Sequence, residues 1–311
     1  MTRRTCSPLV PPLHCRRFAG AALVIVVALL SGSVSPTARG TIDLVDVGRG
    51  VSLATITDTT LLDPQAPGLL SIKAIRLDTR FVRLRSVVAG DRLPALERVL
   101  EMSRRTGAIA AINAGFFTST GGPAGLLVVS GVPVGFGVHP RGAVAIRDDG
   151  TRAHLSFGRA RLGAVPDPLA TSRMRLTFWH PDGRDLSAWQ QADDVVGGAG
   201  LLVEAGLPVT DFAVERMRDD FPVLRHPRTL IGVDRDEAVW LVAVDGRRPD
   251  HSVGMSFVEL QRLCAYLGLR DALNLDGGGS TTLVVQGEIV NRPTDRMGPR
   301  AVSDALVVMP R

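Results

Sequence analysis

A loop near the C-terminus combines side chains and backbone groups that could bind or cleave a substrate. Asp276 follows an apolar segment and precedes three consecutive glycines at 277–279, and the hydroxyl side chains of Ser280 and Thr281 come next. Glycines accept positive φ and leave their N–H groups open to a ligand, although each one costs conformational entropy on folding. The pattern therefore predicts a turn that can hold an oxyanion beside a carboxylate. A tight hairpin whose Asp and Ser cap their own backbone is the alternative.

Further polar residues stand at the ends of predicted strands elsewhere in the chain. Asn113 and Asp245, like Asp276, each lie at or just after the C-terminal end of an apolar segment, and a glycine follows within two residues. If neighbouring strands run parallel, such ends meet at one edge of a sheet. Arg228 stands at the start of a strand, so an antiparallel neighbour would bring it to the same edge. An Asp that only closes a turn is the alternative for both carboxylates, and for Asp245 it explains the sequence equally well.

The apolar pattern of the whole chain predicts many short strands that position these residues. Alternating apolar residues indicate half-buried strands at 51–56, 70–77 and 81–88. Two hairpins are predicted at 142–157 and 230–244, where charged turns separate pairs of apolar segments. These elements predict a large mixed β-sheet.

Helices and irregular segments are fewer. A helix is predicted at 94–105, and a second one opens with the capping pattern of Ser256 and Glu259 and ends at Gly268. Residues 158–194 are rich in Pro, Arg and Asp and are predicted to be irregular. We therefore expect an α+β fold, a single domain at about residues 45–309 around the large mixed sheet with a few helices.

The first 38 residues have the pattern of a targeting segment. Four arginines precede an uninterrupted apolar run of 13 residues at 18–30, which is typical of a signal peptide and shorter than the roughly 20 residues of a membrane-spanning helix. We expect residues 1–38 to be a signal peptide or an uncleaved N-terminal anchor, and the domain to be extracytoplasmic. A buried N-terminal helix is the alternative, although the flanking arginines suit a core badly.

The basic charge of the chain belongs largely to that segment. Four of the 36 Lys and Arg residues and none of the 31 Asp and Glu residues fall in residues 1–38. The remainder is close to neutral, so no basic patch and no nucleic-acid partner are expected. Cys264 is the only cysteine after residue 38, so it cannot form a disulfide within the domain and is predicted to be a core residue.

Metal and serine-nucleophile chemistry fit the sequence less well. Asp234, Asp236 and Glu237 could bind a hard cation, but a charged hairpin turn explains them equally well. The histidines and cysteines do not show zinc-ligand spacing, and Ser280 lacks the glycine pattern of a nucleophile elbow. We expect neither a metal nor a cofactor. His226 is a further candidate for the site because it stands two residues before Arg228.

Several short motifs occur in order along the chain. They are Asn113-Ala114-Gly115-Phe116-Phe117, Gly197-Gly198-Ala199-Gly200, Pro227-Arg228-Thr229, Val244-Asp245-Gly246-Arg247, Asp276-Gly277-Gly278-Gly279-Ser280, Val290-Asn291-Arg292-Pro293 and Arg300-Ala301-Val302-Ser303-Asp304. Each motif alone is weak, but their order and spacing resemble the phosphodiester glycosidase family over about residues 45–309. The resemblance implies hydrolysis of a sugar-1-phosphodiester at the anomeric carbon, which releases the sugar and a phosphomonoester.

The resemblance also implies roles for individual residues. Glycosidases normally use two carboxyl groups, so Asp276 or Asp245 would be nucleophile or base toward water, and Arg228 would hold phosphate. The residues expected to bind the glycosyl phosphodiester or glycan are Asn113, Gly115, Thr229, Arg247, Gly277, Gly278, Gly279, Ser280, Thr281 and Arg300.

A non-catalytic role on the same fold is the competing hypothesis, because a fold does not guarantee a reaction. Such a domain would bind glycan outside the cytoplasm or belong to the cell envelope or an exopolysaccharide system, and only an uncleaved N-terminal anchor would attach it to a membrane. Convergence of Asn113, Arg228, Asp245 and Asp276 in one cleft would favour the enzyme.

Overall fold

The computed structural model describes residues 42–166 and 174–311, which form one compact unit built mainly of strands. The strands are β1 (Leu44–Gly48), β2 (Val51–Ile56), β3 (Ile72–Leu77), β4 (Val82–Val88), β5 (Glu97–Arg98), β6 (Ala110–Asn113), β7 (Leu126–Val129), β8 (Val132–Phe136), β9 (Arg141–Asp148), β10 (Ala153–Pro166), β11 (Met174–Trp179), β12 (Asp194–Gly197), β13 (Leu201–Glu204), β14 (Leu207–Pro208), β15 (Arg228–Asp234), β16 (Val239–Val244), β17 (Leu269–Asn274), β18 (Leu283–Val285), β19 (Glu288–Ile289), β20 (Ala301–Val302) and β21 (Asp304–Pro310). The α-helices in this part of the chain are α1 (Val99–Thr106) and α2 (Phe257–Leu267).

The strands form sheets of eight, six, five and two strands. The eight-stranded sheet has the order β1-β2-β3-β16-β15-β17-β13-β14, and the five-stranded sheet has the order β19-β18-β6-β21-β4. The six-stranded sheet is β11-β10-β9-β12-β7-β8, and β20 pairs with β5. The predicted α+β fold, with a large sheet and few helices, is confirmed. The pairings between described strands are antiparallel, so alternate strands of the large sheet run in the same direction.

Successive side chains of β15 and β16 point alternately into two hydrophobic cores. Leu230 and Val242 pack in the cluster that includes Leu260 and Leu263 of α2. The next residues along β15 and β16, such as Ile231, face the core shared with the other two large sheets. Because both faces are covered, β16 and the middle of β15 at 230–233 lack polar side chains, rather than alternating apolar with polar ones. Each fully buried aliphatic side chain contributes about 1.5–3 kcal/mol through removal from water.

Helix α2 agrees with its prediction, whereas α1 does not begin where the pattern placed it. Ser256 Oγ accepts from Glu259 N–H at the start of α2, and Gly268 ends it at φ 72°. Helix α1 begins five residues after the predicted start at 94 because Glu97–Arg98 pairs with Ala301–Val302 as a strand. Pairing with a distant segment therefore prevailed over the local helical pattern.

The prediction that residues 158–194 are irregular is wrong for most of the described part. Strands β10 and β11 occupy 153–166 and 174–179 and pair with each other. Ala160 and Leu162 point into a core that contains Trp189, whose Nε1 donates to Ser156 Oγ at 2.9 Å. The polar residues of β10 point outward and alternate with buried apolar residues. The polar composition of the segment therefore hid its strand pattern. A short 3₁₀ turn at Ser187–Gln191 follows.

The predicted targeting segment lies outside the described residues. Within 42–166 and 174–311, no helix is both long enough and apolar enough to cross a membrane.

Candidate active site

Three central strands bring the predicted polar residues to one edge of the eight-stranded sheet. Strand β15 lies between β16 and β17 and is antiparallel to both, with Arg228 opposite Val244 and Leu230 opposite Asn274. The start of β15 therefore meets the ends of β16 and β17. Arg228, Asp245 and Asp276 lie at this edge because β16 and β17 flank β15 and run parallel to each other. The sequence pattern predicted direct parallel neighbours, but the two parallel strands are separated by β15.

The glycine loop after β17 lies very close to the Pro227 backbone and to the Asp295 side chain. Gly278 has φ 63° and its N–H donates to the Pro227 carbonyl at 2.9 Å. A Cβ on Gly277 would lie 2.6 Å from the Pro227 oxygen, and one on Gly279 would lie 2.1 Å from an Asp295 carboxylate oxygen. The backbone contact requires glycine at 277, and the positive φ favours glycine at 278, whereas a side chain at 279 would have to displace the Asp295 carboxylate.

A buried network of side chains supports this loop from beneath. Asn113 Nδ2 donates to the Asp276 carbonyl at 2.6 Å, and Asn113 Oδ1 accepts from Thr229 Oγ1 at 2.9 Å and from Thr282 N–H at 3.1 Å. Thr229 Oγ1 also lies 3.4 Å from Thr281 Oγ1. Asn113, Thr229 and Thr281 are at most 1% exposed. Their geometry therefore fits positioning of the loop rather than contact with substrate.

Asp245 is also part of this support. Its Oδ1 accepts from Asn291 Nδ2 and from Arg292 N–H, both at 2.9 Å. Its Oδ2 accepts from Ser71 Oγ at 3.2 Å and lies 2.9 Å from His251 Nε2. Both oxygens are occupied, and the side chain is buried. Such a carboxylate fits a structural role better than the role of nucleophile or base.

Asn291 connects Asp245 to the glycine loop, which the sequence alone does not show. Its Nδ2 also donates to the Thr281 carbonyl at 3.1 Å, and its Oδ1 accepts from Leu283 N–H at 2.7 Å. The motif around Asn291 marked it as notable in sequence, but only the tertiary fold shows what it contacts.

A cleft of about 360 Å³ opens above the network. Its lining residues are Arg218, Asp220, Phe221, Leu224, His226, Pro227, Arg228, Arg247, Asp276, Gly277, Gly278, Gly279 and Arg300. The cleft therefore combines Asp276, the three glycines and Arg228, Arg247 and Arg300 from the predicted set. Asn113, Gly115, Thr229, Asp245, Ser280 and Thr281 are buried behind this lining.

The segment between β14 and β15 forms one wall of the cleft, although its sequence did not mark it as part of the site. Its contribution includes Arg218, Asp220 and Phe221. Glu215 anchors the segment, because its carboxylate accepts from the N–H groups of Gly142 and Gly200 at 3.0 and 2.7 Å. A segment of this charged and irregular composition gives no periodic signal, so its place over the site is a tertiary feature.

Arg228 is held inside the protein beside the cleft. Its Nε donates to the Met255 carbonyl at 2.9 Å, and its Nη2 donates to the carbonyls of Phe221 and Leu224 at 2.7 and 2.9 Å. The guanidinium carbon lies 4.7 and 4.8 Å from the ring centres of Phe221 and Phe257, which is cation–π distance. Burial and the charge of Arg247 lower the pKa of Arg228 to about 9, so it stays cationic at neutral pH.

Asp276 is the cleft carboxyl whose proton affinity is raised. Burial is the main cause that raises the pKa of Asp276 to about 6, with a smaller contribution from Asp304, while Ser280 and Arg300 oppose the rise. Ser280 Oγ is fully buried near this carboxyl but has no well-aligned hydrogen-bond partner among the described residues. A carboxyl that exchanges its proton near neutral pH is suited to catalysis.

Positive charge dominates the rest of the cleft. Arg228, Arg247 and Arg300 face it together with Arg218, against Asp220 and Asp276. Burial and the neighbouring arginines Arg228 and Arg247 lower the pKa of His226. His226 is a neighbour of Arg247, whose Nη2 lies 3.2 Å from its Nδ1. A cleft with this charge can bind an anion such as a phosphodiester. The Gly278 N–H is already donated to the Pro227 carbonyl, so its predicted role as a donor to the substrate is not seen.

The acidic residues of the β15–β16 turn were the alternative candidates for a cation site, and the structure gives Asp234 another role. Asp234 accepts from the N–H groups of Asp236 and Ala238, both at 2.9 Å, and from Trp240 Nε1 at 3.0 Å. Asp234 therefore closes the hairpin. No group of three or more His, Cys, Asp or Glu placed to hold a metal occurs in the described ranges.

Comparison with known proteins gives one family. The phosphodiester glycosidase family model matches residues 106–309. The chain is 29% identical over 216 residues to the SPbeta prophage-derived uncharacterized protein YomE of Bacillus subtilis (strain 168), which covers 68% of this chain and 29% of that protein. It is 33% identical over 87 residues to N-acetylglucosamine-1-phosphodiester alpha-N-acetylglucosaminidase of Bos taurus, which covers 26% of this chain and 16% of that protein. The chain thus spans less than a third of the curated relatives it matches.

Two solved structures share the fold. A putative exported protein from Burkholderia pseudomallei K96243 has a TM-score of 0.66 and 22% identity, over 79% of this chain and 75% of that one. The catalytic domain of zebrafish N-acetylglucosamine-1-phosphodiester alpha-N-acetylglucosaminidase has a TM-score of 0.61 and 21% identity, over 89% and 86%. At this level of identity the similarity shows the fold alone.

Proposed function

The chain belongs to the phosphodiester glycosidase family, and on that basis we propose that it hydrolyses the glycosidic bond of a sugar-1-phosphodiester. The products are the free sugar and a phosphomonoester. The observation that carries this proposal is the position of Asp276, a carboxyl with a pKa of about 6, in a cleft with four arginines and three glycines.

The charges of the cleft match the charges of this reaction. The anomeric C–O bond breaks through an oxocarbenium-like state, and the leaving phosphate monoester is already a weak base. Such a leaving group needs little protonation but benefits from stabilisation of its negative charge by arginines and N–H groups. Arg247 lines the cleft near Gly278 and Arg300 lines it near Gly279, and the two would hold the phosphate. Arg228 would add its charge from behind.

The arginines stabilise the leaving group, and Asp276 would act on the sugar as nucleophile or as base toward water. It is half-buried and lines the cleft, whereas both oxygens of Asp245 are occupied by protein donors. Above pH 6 Asp276 is mostly ionised and can attack or accept a proton. Asp245 is then a positioning residue that acts through Asn291 and the loop.

A panel of glycosyl-1-phosphodiesters tests this proposal. We expect purified protein to release reducing sugar and a phosphomonoester from at least one member of the panel, in linear proportion to enzyme concentration. Binding of the diesters without any turnover would instead support the glycan-binding alternative.

We also propose that the domain acts outside the cytoplasm. The basic and apolar pattern of residues 1–38 supports export, and one structural relative is described as a putative exported protein. A fusion of alkaline phosphatase after residue 45 should therefore be active in a bacterial host, because this reporter folds only after export. As a control, the same fusion lacking residues 1–38 should be inactive. Equal activity of the two fusions, or no activity of either, would contradict export by this segment.

A further inference from the structure

His226 lies at the end of the wall segment between β14 and β15, and its side chain lines the cleft. Its backbone pairs with Met255 through N–H···O contacts of 3.3 and 3.1 Å. Its ring centre lies 6.3 Å from that of Phe221, with an angle of 32° between the two ring planes. The half-buried imidazole is therefore held in place at the cleft by its backbone and by an aromatic neighbour.

The contact with Arg247 determines which ring nitrogen of His226 carries a proton. Arg247 Nη2 lies 3.2 Å from His226 Nδ1. A guanidinium has N–H donors and no acceptor, so Nδ1 must be the acceptor in this contact. An imidazole without a proton on Nδ1 is neutral and carries its proton on Nε2. His226 therefore offers one N–H donor and no positive charge.

The charged groups around the ring favour the same neutral form. Burial and the charges of Arg228, from β15, and Arg247, from the loop after β16, lower the pKa of His226. In the wall segment, Asp220 opposes this effect and Arg218 adds to it. The imidazole is therefore neutral at pH 8.

Nε2 of His226 is open to the cleft. In the part of the chain that the structure describes, Nδ1 is the ring nitrogen that has a hydrogen-bond partner, and Nε2 is not among the buried polar atoms left without one. An atom that has no protein partner and is not buried is reached by solvent. Because the side chain lines the cleft, a ligand bound there can accept from Nε2–H.

Arg247 differs from the other cleft arginines in its lack of a neutralising partner. Arg218 pairs with Asp220, and Arg300 pairs with Asp295 at 2.8 Å. Within residues 42–166 and 174–311, no Asp or Glu forms an ion pair with Arg247. The charge of Arg247 is therefore available to an anion in the cleft.

Arg247 also connects His226 to the glycine loop that follows Asp276. A Cβ on Gly278 would lie 3.2 Å from Arg247 Nη1 and 3.4 Å from Nη2. The guanidinium thus contacts the loop as well as the imidazole. A phosphate held by Arg247 would lie close to both.

We propose that His226 is a further substrate-binding residue, whose Nε2–H donates to the phosphate group of the diester while its Nδ1 orients Arg247 toward the same group. This proposal rests on the proposed function, in which the leaving phosphate gains negative charge beside Arg247. A neutral ring adds a donor to that charge at a place where burial and Arg228 make another cation costly.

NMR of the full chain labelled with ¹⁵N at histidine tests the proposal without turnover. The His226 signals are assigned by their absence from His226→Asn. At pH 8 we expect the proton on Nε2, and inorganic phosphate added at constant ionic strength should shift the Nε2 signal. His154, whose side chain is 52% exposed outside the cleft lining, should show no shift and so controls for non-specific effects. A proton on Nδ1 instead, or an Nε2 signal that does not respond to phosphate, would overturn the proposal.

Two amide variants separate the Nε2–H donor from the contact with Arg247. Asn can accept from Arg247 in place of Nδ1 but is too short to reach the position of Nε2, whereas the amide N–H of Gln reaches it. On a diester that is cleaved, His226→Asn should lower kcat/KM about tenfold or more, as expected for loss of a hydrogen bond to a charged group. His226→Gln should recover most of this loss.

The two variants also separate this proposal from the proposed function. Equal loss of kcat/KM in His226→Asn and His226→Gln would show that the donor at Nε2 is not used, and would overturn the proposal. Absence of activity on every diester would instead refute the proposed function, and the phosphate titration of the wild-type chain would still decide the role of His226.

Discussion

Replacement of Asp276 by Asn should reduce sugar release by at least about 100-fold, the usual effect of losing a nucleophile or general base. Asn keeps the size of the side chain and can still hydrogen bond to the loop, but it cannot attack carbon or accept a proton. The measurement is kcat/KM on the best diester of the panel at pH 8, where wild-type Asp276 is ionised. Asp236→Asn, at the far end of the sheet, should retain wild-type activity.

The same substitution should stabilise the fold at alkaline pH. Burial raises the pKa of Asp276 from 3.8 to about 6, so the neutral acid contributes stability that is present below pH 3.8 and is lost as pH rises through about 6. Asn is neutral at every pH and avoids this loss, which amounts to about 1–3 kcal/mol. The melting temperature of Asp276→Asn should therefore exceed that of wild type more at pH 8 than at pH 5. A variant that melts earlier yet turns over normally would make Asp276 a structural turn residue and return Asp245 to consideration as the catalytic carboxyl.

Arg228→Met should cost about 3 kcal/mol or more of unfolding free energy, a typical cost of leaving several buried polar groups without partners. The carbonyls of Phe221, Leu224 and Met255 would lose their donor, and two cation–π contacts would be lost with them. Urea unfolding at pH 7 measures the change. Because two of these carbonyls lie in the wall segment between β14 and β15, activity should fall together with stability.

Arg247→Met is the matched control for this effect. Arg247 is exposed at the cleft, and its recorded hydrogen-bond contact is with His226. Its loss should change the unfolding free energy by no more than about 0.5 kcal/mol but should lower kcat/KM by roughly tenfold or more, because a charge-assisted contact to phosphate is lost. If Arg228→Met instead folds with normal stability and loses only activity, Arg228 is a direct phosphate ligand, as the sequence predicted.

The central part of the site could be predicted from sequence because local patterns determine it. Asp276 and the three glycines follow an apolar strand, and hairpin pairing of β15 with β16 places Arg228 beside the end of β16. These features depend on strand ends and turn residues, which are visible in a single sequence. The same holds for α2, whose start at Ser256 and end at Gly268 are encoded by capping residues.

Which residues line the cleft and which support it from beneath could not be predicted, because this depends on contacts between residues far apart in the sequence. Asp245 and Asp276 look alike in sequence, yet Asn291, 46 residues from Asp245, occupies an oxygen of Asp245 while Asp276 lines the cleft. Asn113 likewise binds the loop 163 residues away and not the cleft. The wall residue Phe221 carries no local signal, since its significance lies in what the fold places beside it.

The central claim is that water attacks the anomeric carbon. The most direct test is to find which product receives the oxygen atom of the solvent water. Hydrolysis of a sugar-1-phosphodiester in H₂¹⁸O, followed by mass spectrometry of both products, shows which bond is broken. Attack at the anomeric carbon predicts one ¹⁸O in the free sugar and none in the phosphomonoester, with products measured before the label at the sugar hydroxyl exchanges. Incorporation of ¹⁸O into phosphate, or release of sugar 1-phosphate, would show cleavage of a P–O bond or of the other ester and would contradict a phosphodiester glycosidase.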